Sequence, residues 1–372
     1  MSGGQSPQSA PLRSVLLAGG GTAGHISPLL ATAQELAARH PQARITVLGS
    51  EGGLEERLVP EAGLELRLIP KVAFPRRPNS AAVRFPVALR GAIAEAGAVV
   101  DDVDPQVVVG FGGFVSPPAF FAAKQRGIPM VVHEQNARPG LANRAGARLT
   151  PYVATTFRTT QLPHARVIGM PLRTQISRLD RSVGREAARA FFGLRPDLPT
   201  VLVTGGSLGA ARLNSTFAQR ARELSAAGIQ VLHVTGRGKE IDLPAVLGGA
   251  PYVVLPYVDR MDLAYTAADL AVTRSGAGMV CELATVGLPA VFVPLPVGNG
   301  EQKLNAAEMV AAGGAQLVPD EYFTPEWVDA HLIPLLRDEA RLQEMAIAAR
   351  GSGHGESAGT LVTMIEHAAT GS

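Results

Sequence analysis

Short apolar runs recur along the chain, each closed by a cluster of glycine or small polar residues and followed by a longer stretch with one apolar face in helical period. The first run, Ser14 to Ala18, enters Gly19, Gly20, Gly21, Thr22, Ala23, Gly24 and His25, and an amphipathic helix then reaches about Arg39. Strand, glycine loop and helix open a βαβ unit. Further strands are predicted at Ile45 to Leu48, Leu64 to Ile69, Gln106 to Gly110 and Pro129 to Val132, and Val167 to Arg173 reads as a last strand entering a linker, with Arg173 at the hinge. The pattern then restarts. Thr200 to Val203 is a strand closed by Thr204, Gly205, Gly206, Ser207, Leu208, Gly209 and Ala210, and strands over 230–234, 252–255, 270–273 and 290–294 follow. Helices are expected after Thr324 and over about 357–369. A second strand and glycine loop echoing the first makes the chain two Rossmann-like halves of an α/β protein.

Length fits this division, since 372 residues exceed what one ordinary core supports. The expected organisation is a disordered lead over 1–12, an N-terminal domain over 13–172, a C-terminal domain over 173–354, and a last helix, about 355–372, packed back on the first domain. Two such domains would face each other across a deep cleft, with the carboxyl edges of their sheets opposed. Composition describes a soluble globular protein, with 46% hydrophobic and 18% charged residues. No apolar run reaches the roughly 18 residues needed to span a bilayer. The start, MSGGQSPQSAPLR, has neither an apolar core nor a cleavage pattern, which predicts a cytoplasmic protein. The single cysteine, Cys281, excludes an internal disulfide, and no Cys/His cluster has zinc spacing.

Charge is unevenly spread, with 18 basic and 11 acidic residues up to Arg173 against 16 and 21 beyond it. The segment Lys71 to Arg90 carries Lys71, Arg76, Arg77, Arg84 and Arg90 without an acid, interleaved with Phe74, Val83, Phe85, Val87 and Leu89. Such a mixture suits an anionic membrane surface, and equally an ordinary solvated helix. Sparse aromatic residues and the lack of a nucleic-acid motif argue against nucleic acid as a partner.

Candidate chemistry is densest over 271–305. A strand delivers Arg274, Ser275 and Gly276 to a sheet edge, and Gly276, Ala277 and Gly278 let a ligand approach the start of the next helix. One turn on, Glu282 is placed to accept hydrogen bonds from a vicinal diol while Arg274 and the helix amides face phosphate. Gln302 and Asn305 follow as neutral amides suited to sugar hydroxyls. Cation, diol acceptor and amides describe a nucleotide-sugar pocket; the plainer reading is a capped helix with a solvated Glu, and Cys281 reads as a packed small side chain.

In the first half, Gly19, Gly21 and Gly24 satisfy G-x-G-x-x-G, with Glu51 after the next strand where a ribose-binding acid would sit. His25 puts an imidazole at the loop mouth, as a general base or as a helix cap. His133, Glu134, Gln135 and Asn136 are four polar residues ending an apolar strand, with Asn143 and Arg144 on the helix after it; they face a cleft or bridge loops. Asp102 and Asp104 form a D-x-D, but they precede Pro105 and a strand, at the edge away from the glycine loop, which argues against a metal there.

The segments GGGTAGHISP, GFGGFVSPP, HEQNARPGLANR, TGGSLGAARLN, TRSGAGMVCELA and PLPVGNGEQKLNAA run in order from about residue 13 to the end. Together they resemble the MurG family of UDP-N-acetylglucosamine transferases. The resemblance implies a GT-B fold and an inverting, metal-independent transfer of N-acetylglucosamine from UDP-N-acetylglucosamine to the muramyl 4-hydroxyl of lipid I, giving lipid II for peptidoglycan. It implies no cofactor. Thr22, Ala23 and Gly24 would meet the diphosphate and Asn136 the donor sugar; Arg173 and Ser207 would hold uridine and phosphate, with Asn214 and Arg274 also on the donor. Val258 would take the uracil through its backbone, and Ala277, Gly278, Met279, Val280, Cys281 and Glu282 the nucleotide, with Glu282 on the ribose. Gln302 and Asn305 would bind the sugar. His25 is the candidate base, supported on the acceptor side by His133, Glu134 and Asn143. Two positions depart from the family pattern: Phe114 stands where Tyr is common and Ala23 where Gly is common.

Because the implied acceptor is a polyprenyl diphosphate, the protein would work peripherally at the inner, cytoplasmic face of the cell membrane. Lys71, Arg76, Arg77, Arg84 and Phe85 are the candidate contact, and a cell-wall enzyme complex is the implied setting. Two alternatives keep the same residues in view: a UDP-N-acetylglucosamine 2-epimerase-like enzyme, which needs no acceptor, and an NAD-dependent oxidoreductase built on Gly19 to Gly24.

Overall fold

The computed structural model describes residues 11–75, 80–206, 210–243, 248–296 and 299–371. Its contacts divide the chain into two units, Met1–Arg173 with Glu356–Ser372, and Thr174–Gly355.

The first unit is built on strands β1 (Ser14–Ala18), β2 (Arg44–Ser50), β3 (Glu65–Ile69), β4 (Val107–Gly110), β5 (Met130–Glu134), β6 (Tyr152–Thr155) and β7 (Ala165–Val167), all parallel, in the order β3-β2-β1-β4-β5-β6-β7. Every residue of β1 is buried, because a parallel sheet is covered on both faces, and this is why SVLLA reads as an unbroken apolar run. Its alternate side chains enter different cores. Val15 and Leu17 pack with Leu29 and Leu36 of helix α1 (Ala23–Arg39) and with Leu361 and Ile365 of the last helix, Ser357–Thr370. Leu16 and Ala18 pack with Ala96 and Val100 of helix α3 (Ser80–Val103) and Phe120 of helix α4 (Ser116–Gln125), helix α2 (Glu55–Glu61) coming between in the chain. The last helix is tied to the end of α1 by His40 Nε2 at 2.8 Å from Glu366 and by Arg39, which donates to Thr363 Oγ1 at 3.0 Å.

Two strands differ from the sequence reading. β7 ends at Val167 and Gly169 turns away at φ +86°, so 168–173 is not a strand. β6 is a four-residue strand lying between Thr150 and Thr156, too short and too polar at its ends to stand out. Asp102 is held in a surface ion pair with Arg67 at 2.5 Å.

The second unit holds β8 (Thr200–Thr204), β9 (Gln230–Val234), β10 (Tyr252–Leu255), β11 (Leu270–Thr273), β12 (Ala290–Phe292) and β13 (Ala315–Leu317), parallel in the order β10-β9-β8-β11-β12-β13. Val201, Val203, Val231 and Val272 meet Leu213, Phe217 and Phe323 in its core. In each sheet the strand order reverses beside the first strand, between β1 and β4 and between β8 and β11. Ligands of such sheets bind at the carboxyl ends beside that reversal, and it is here that both glycine loops open. No helix among the described residues is long and apolar enough to cross a membrane.

Candidate active site

After β1 the chain turns through Gly19, Gly20 and Gly21 into α1, whose first turn carries no acidic residue and whose N-cap Thr22 makes no side-chain cap. Thr22 and Gly24 are exposed at this helix start, which suits an anion. His25 is half-buried one residue further, with Nδ1 3.1 Å from the Gly20 carbonyl and 3.1 Å from Thr22 Oγ1. A carbonyl only accepts, so Nδ1 carries the proton and Nε2 keeps its lone pair. Burial draws the imidazole below its ordinary pKa, opposed in part by the Gly20 carbonyl and the charge of Glu55. The result is a neutral imidazole at neutral pH, the form a general base needs.

The acid that organises this loop is Glu55, at the start of α2, and not Glu51. Glu51 is exposed, whereas Glu55 is fully buried and accepts from Gly21 N (2.9 Å), Ser50 N (2.9 Å) and Ser50 Oγ (3.0 Å). A Cβ on Gly20 would lie 2.1 Å from Glu55 Oε1, so the loop is glycine partly to make room for this carboxylate. From the other side, the turn after β4 brings Gly113, at φ +81°, so close that a Cβ there would sit 2.5 Å from the Gly20 oxygen. Its neighbour Gly112 lies against the His25 ring and the Asn143 amide.

His133, Glu134 and Asn143, the residues expected to support the acceptor side, are buried in the first unit. His133 is fully buried, donates from Nε2 to the Gly169 carbonyl (3.0 Å) and accepts at Nδ1 from Gln135 (3.1 Å). Glu134, 1% exposed, accepts from Asn136 N and Gly140 N at 2.9 Å and from Asn143 Nδ2 at 3.0 Å. These residues bind one another and the 136–143 loop, while Asn143 Oδ1 is buried without a partner in the structure. Burial raises the pKa of Glu134 against those three donors. Asn136 is half-buried at the loop they hold.

Of the basic, apolar segment, Arg76 and Arg77 lie outside the described residues. Lys71 sits 4.9 Å over the Phe114 ring, and Phe74 packs edge-on against Phe85 at 5.2 Å. Phe74, Val83 and Val87 are exposed alongside Arg84 and Arg90.

In the second unit, the helix Ala277–Val286 starts at an extended Gly276 with no side-chain cap and no acid in its first turn, and a Cβ on Gly276 or Gly278 would meet open space. The amides of Ala277 to Met279 are therefore approachable by an anion. Arg274, expected to face phosphate, is paired through Nη1 within its own unit. It is 8% exposed and donates from Nη1 to Asp320 Oδ1 (2.5 Å), Val293 O (2.9 Å) and Pro294 O (3.2 Å). A buried guanidinium must be paired, and Asp320 supplies the partner. Glu282, half-buried one turn into the helix, accepts from the hydroxyl of Tyr265. Cys281 has its pKa pushed up by burial and by Glu282 and Glu308, so it stays a thiol.

Asn214 and Asn305 are internal ties. Asn214 donates to Thr235 O (3.1 Å) and accepts from His233 Nε2 (3.1 Å), whose Nδ1 accepts from Tyr252 Oη (2.8 Å). Asn305 is fully buried and donates to Ser275 O at 3.4 Å. Gln302 accepts from Leu295 N at 2.9 Å, Val258 is 7% exposed beside Tyr257, and Arg173 is exposed. Ser207 lies outside the described residues. Among those described, no group of three His, Cys, Asp or Glu side chains could hold a metal ion.

His133 in the first unit and His233 in the second are each buried between two polar partners. Burial holds His133 and His233 at about 4. The unfolded chain, at about 6.5, takes up protons first as pH falls, so their stabilisation is complete above about 6.5 and is lost towards about 4. The urea midpoint is expected to drop from pH 7 to pH 5, and His233→Gln to flatten that drop; an equal drop in the variant would assign it elsewhere.

Residues 15–155 match the Glycosyltransferase family 28 N-terminal domain and residues 200–361 the Glycosyltransferase family 28 C-terminal domain. The chain is 53% identical over 351 residues to the UDP-N-acetylglucosamine--N-acetylmuramyl-(pentapeptide) pyrophosphoryl-undecaprenol N-acetylglucosamine transferase of Leifsonia xyli subsp. xyli, covering 94% of this chain and 97% of that one. With the enzyme of the same name from a Nocardioides species it shares 56% over 337 residues, covering 90% and 92%. The crystal structure of Acinetobacter baumannii MurG superposes with a TM-score of 0.76 at 30% identity, covering 95% of this chain and 99% of that one. The chain belongs to the MurG family. Its two parallel α/β units are those of the GT-B fold of MurG. A UDP-GlcNAc 2-epimerase from Neisseria meningitidis also superposes, with a TM-score of 0.65 at 13% identity over 95% of this chain and 99% of that one. That likeness is one of fold alone, whereas the MurG match holds in sequence across both units.

Proposed function

We infer that this chain transfers N-acetylglucosamine from UDP-N-acetylglucosamine to lipid I, making lipid II in peptidoglycan synthesis. The observation that carries this is identity above one half, over nine-tenths of the chain, with transferases of that name. UDP-N-acetylglucosamine incubated without acceptor should stay intact, whereas its conversion would mark epimerase-like chemistry.

On the donor side, the amides of Ala277 to Met279 take the diphosphate, Glu282 accepts from the ribose hydroxyls, Val258 meets the uracil through its backbone, and Gln302 takes the sugar. Arg274, paired with Asp320, sets the carboxyl end of β11 and acts on phosphate only through that. In the first unit, Thr22 to Gly24 add diphosphate contacts at a second helix start. His25 Nε2 takes the proton of the muramyl 4-hydroxyl as that oxygen bonds to C1 of the donor sugar. The C1–O bond to phosphate breaks, UDP leaves, and attack from the opposite face inverts C1. Helix amides stabilise the charge growing on the diphosphate, a task that elsewhere falls to a metal ion.

A membrane-bound acceptor calls for a contact surface, and exposed Phe74, Val83 and Val87 beside Arg84 and Arg90 supply apolar and basic groups together. This reading places the protein peripherally at the cytoplasmic face. The triple change Phe74→Ser, Val83→Ser, Arg84→Gln is expected to weaken sedimentation with anionic vesicles by about tenfold or more, given about 1 kcal/mol for each basic residue and the loss of apolar burial. UDP affinity should be retained. Unchanged sedimentation would remove this surface from the account.

A further inference from the structure

We propose that Glu55 is a positioning residue for the transfer, a buried carboxylate that fixes the tautomer and orientation of His25 through the Gly20–Gly21 loop. The proposal rests on His25 acting as the base. Glu55 is fully buried, so it touches no substrate. Its oxygens accept three donors, Gly21 N at 2.9 Å on one side and Ser50 N and Oγ at 2.9 and 3.0 Å on the other. Both oxygens act as acceptors, which a carboxylate can do and a primary amide cannot.

Gly20 is gripped between this carboxylate and Gly113, since a Cβ on Gly20 would lie 2.1 Å from Glu55 Oε1 and one on Gly113 would lie 2.5 Å from the Gly20 oxygen. That same Gly20 oxygen stands 3.1 Å from His25 Nδ1 and holds its proton. Glu55 therefore does through a peptide group what a carboxylate bonded directly to an imidazole does elsewhere: it keeps the proton on Nδ1 and the lone pair on Nε2. Gly53, where a Cβ would lie 2.1 Å from Glu55 Oε2, completes a fitted seat for the side chain. A carboxyl needed only to start α2 would be exposed in the first turn, as Glu56 is.

The test is Glu55→Gln in the full chain, read three ways. Turnover with a lipid I analogue should fall about tenfold or more, within the range a general base contributes, while KM for UDP-N-acetylglucosamine changes by less than about twofold. In a His25→Ala background, Glu55→Gln should add no further loss, because it acts through the imidazole. Nitrogen NMR of labelled histidine should show His25 as the Nδ1–H tautomer in the wild type and as a mixture in the variant. Wild-type turnover in folded Glu55→Gln, equal losses with and without His25, or an unchanged tautomer would each overturn the proposal. Should His25→Ala itself retain full turnover, the base assignment fails, and the tautomer still decides whether Glu55 orients the ring. If Glu55→Gln does not fold, Ser50→Ala, which removes one donor to Oε1, decides by the same turnover and tautomer readings.

Discussion

Replacing His25 by alanine is expected to lower kcat for transfer to a lipid I analogue by about 10²–10⁴-fold, the usual contribution of a positioned general base. Affinity for UDP should persist in this variant, because the imidazole is assigned to the acceptor hydroxyl and not to the nucleotide. The wild-type pH profile carries the same claim. His25 is active when neutral, and burial draws its pKa below the ordinary value, so activity should rise with pH through an acid limb below about 6.5 and be level at pH 7. An acid limb centred above 7, or a profile unchanged in His25→Ala, would contradict the assignment.

The second large effect is on the donor. Glu282→Ala should weaken binding of UDP by about 10–100-fold, since a charge-assisted hydrogen bond contributes about 1.5–3 kcal/mol and about 1.4 kcal/mol is a factor of ten. Calorimetry with UDP and with its 2′,3′-dideoxy counterpart separates the cause. If Glu282 holds the ribose hydroxyls, the variant loses affinity for UDP and almost none for the dideoxy nucleotide. Equal affinity of wild type and variant for UDP would remove Glu282 from the donor site. Tyr265→Phe should show a smaller loss of the same kind, because the Tyr265 hydroxyl orients the carboxylate without touching nucleotide.

How far the sequence leads can be seen residue by residue. Two parallel α/β units were legible because buried parallel strands such as β1 and β8 are continuous apolar runs closed by glycine, and the spacing of the loops repeats. Strands β6 and β13 were not, since YVAT is bounded by threonines and AQL is interrupted by a glutamine, whereas the equally short β12 is wholly apolar. Helix starts at Ala23 and Ala277 announced themselves through small residues after a strand. What the sequence does not carry is which groups of its own fold a polar side chain meets. Arg274 points to Asp320, which stands 46 residues further on, and Asn214 points to His233 and Thr235. His133 and Glu134 are satisfied by carbonyl and amide groups of their own loops. Glu55 and Tyr265 were missed for the same reason. Each acts at a distance in sequence, 34 residues from Gly21 and 17 from Glu282, and no local pattern marks it. A cue for Glu55 did exist in GGLEE, two glycines and then an acid in the first turn of a helix, but exposed and buried acids look alike there.

The most direct measurement is transfer of labelled N-acetylglucosamine from UDP-N-acetylglucosamine to a lipid I analogue by the full chain in EDTA, with His25→Ala beside it. Labelled lipid II formed in EDTA by the wild type, with inversion at C1 and turnover lost in His25→Ala, is the predicted result. No labelled lipid from a protein that still binds UDP-N-acetylglucosamine would contradict the transferase reading itself, and label transferred equally well by His25→Ala would contradict the chemistry assigned to the first glycine loop.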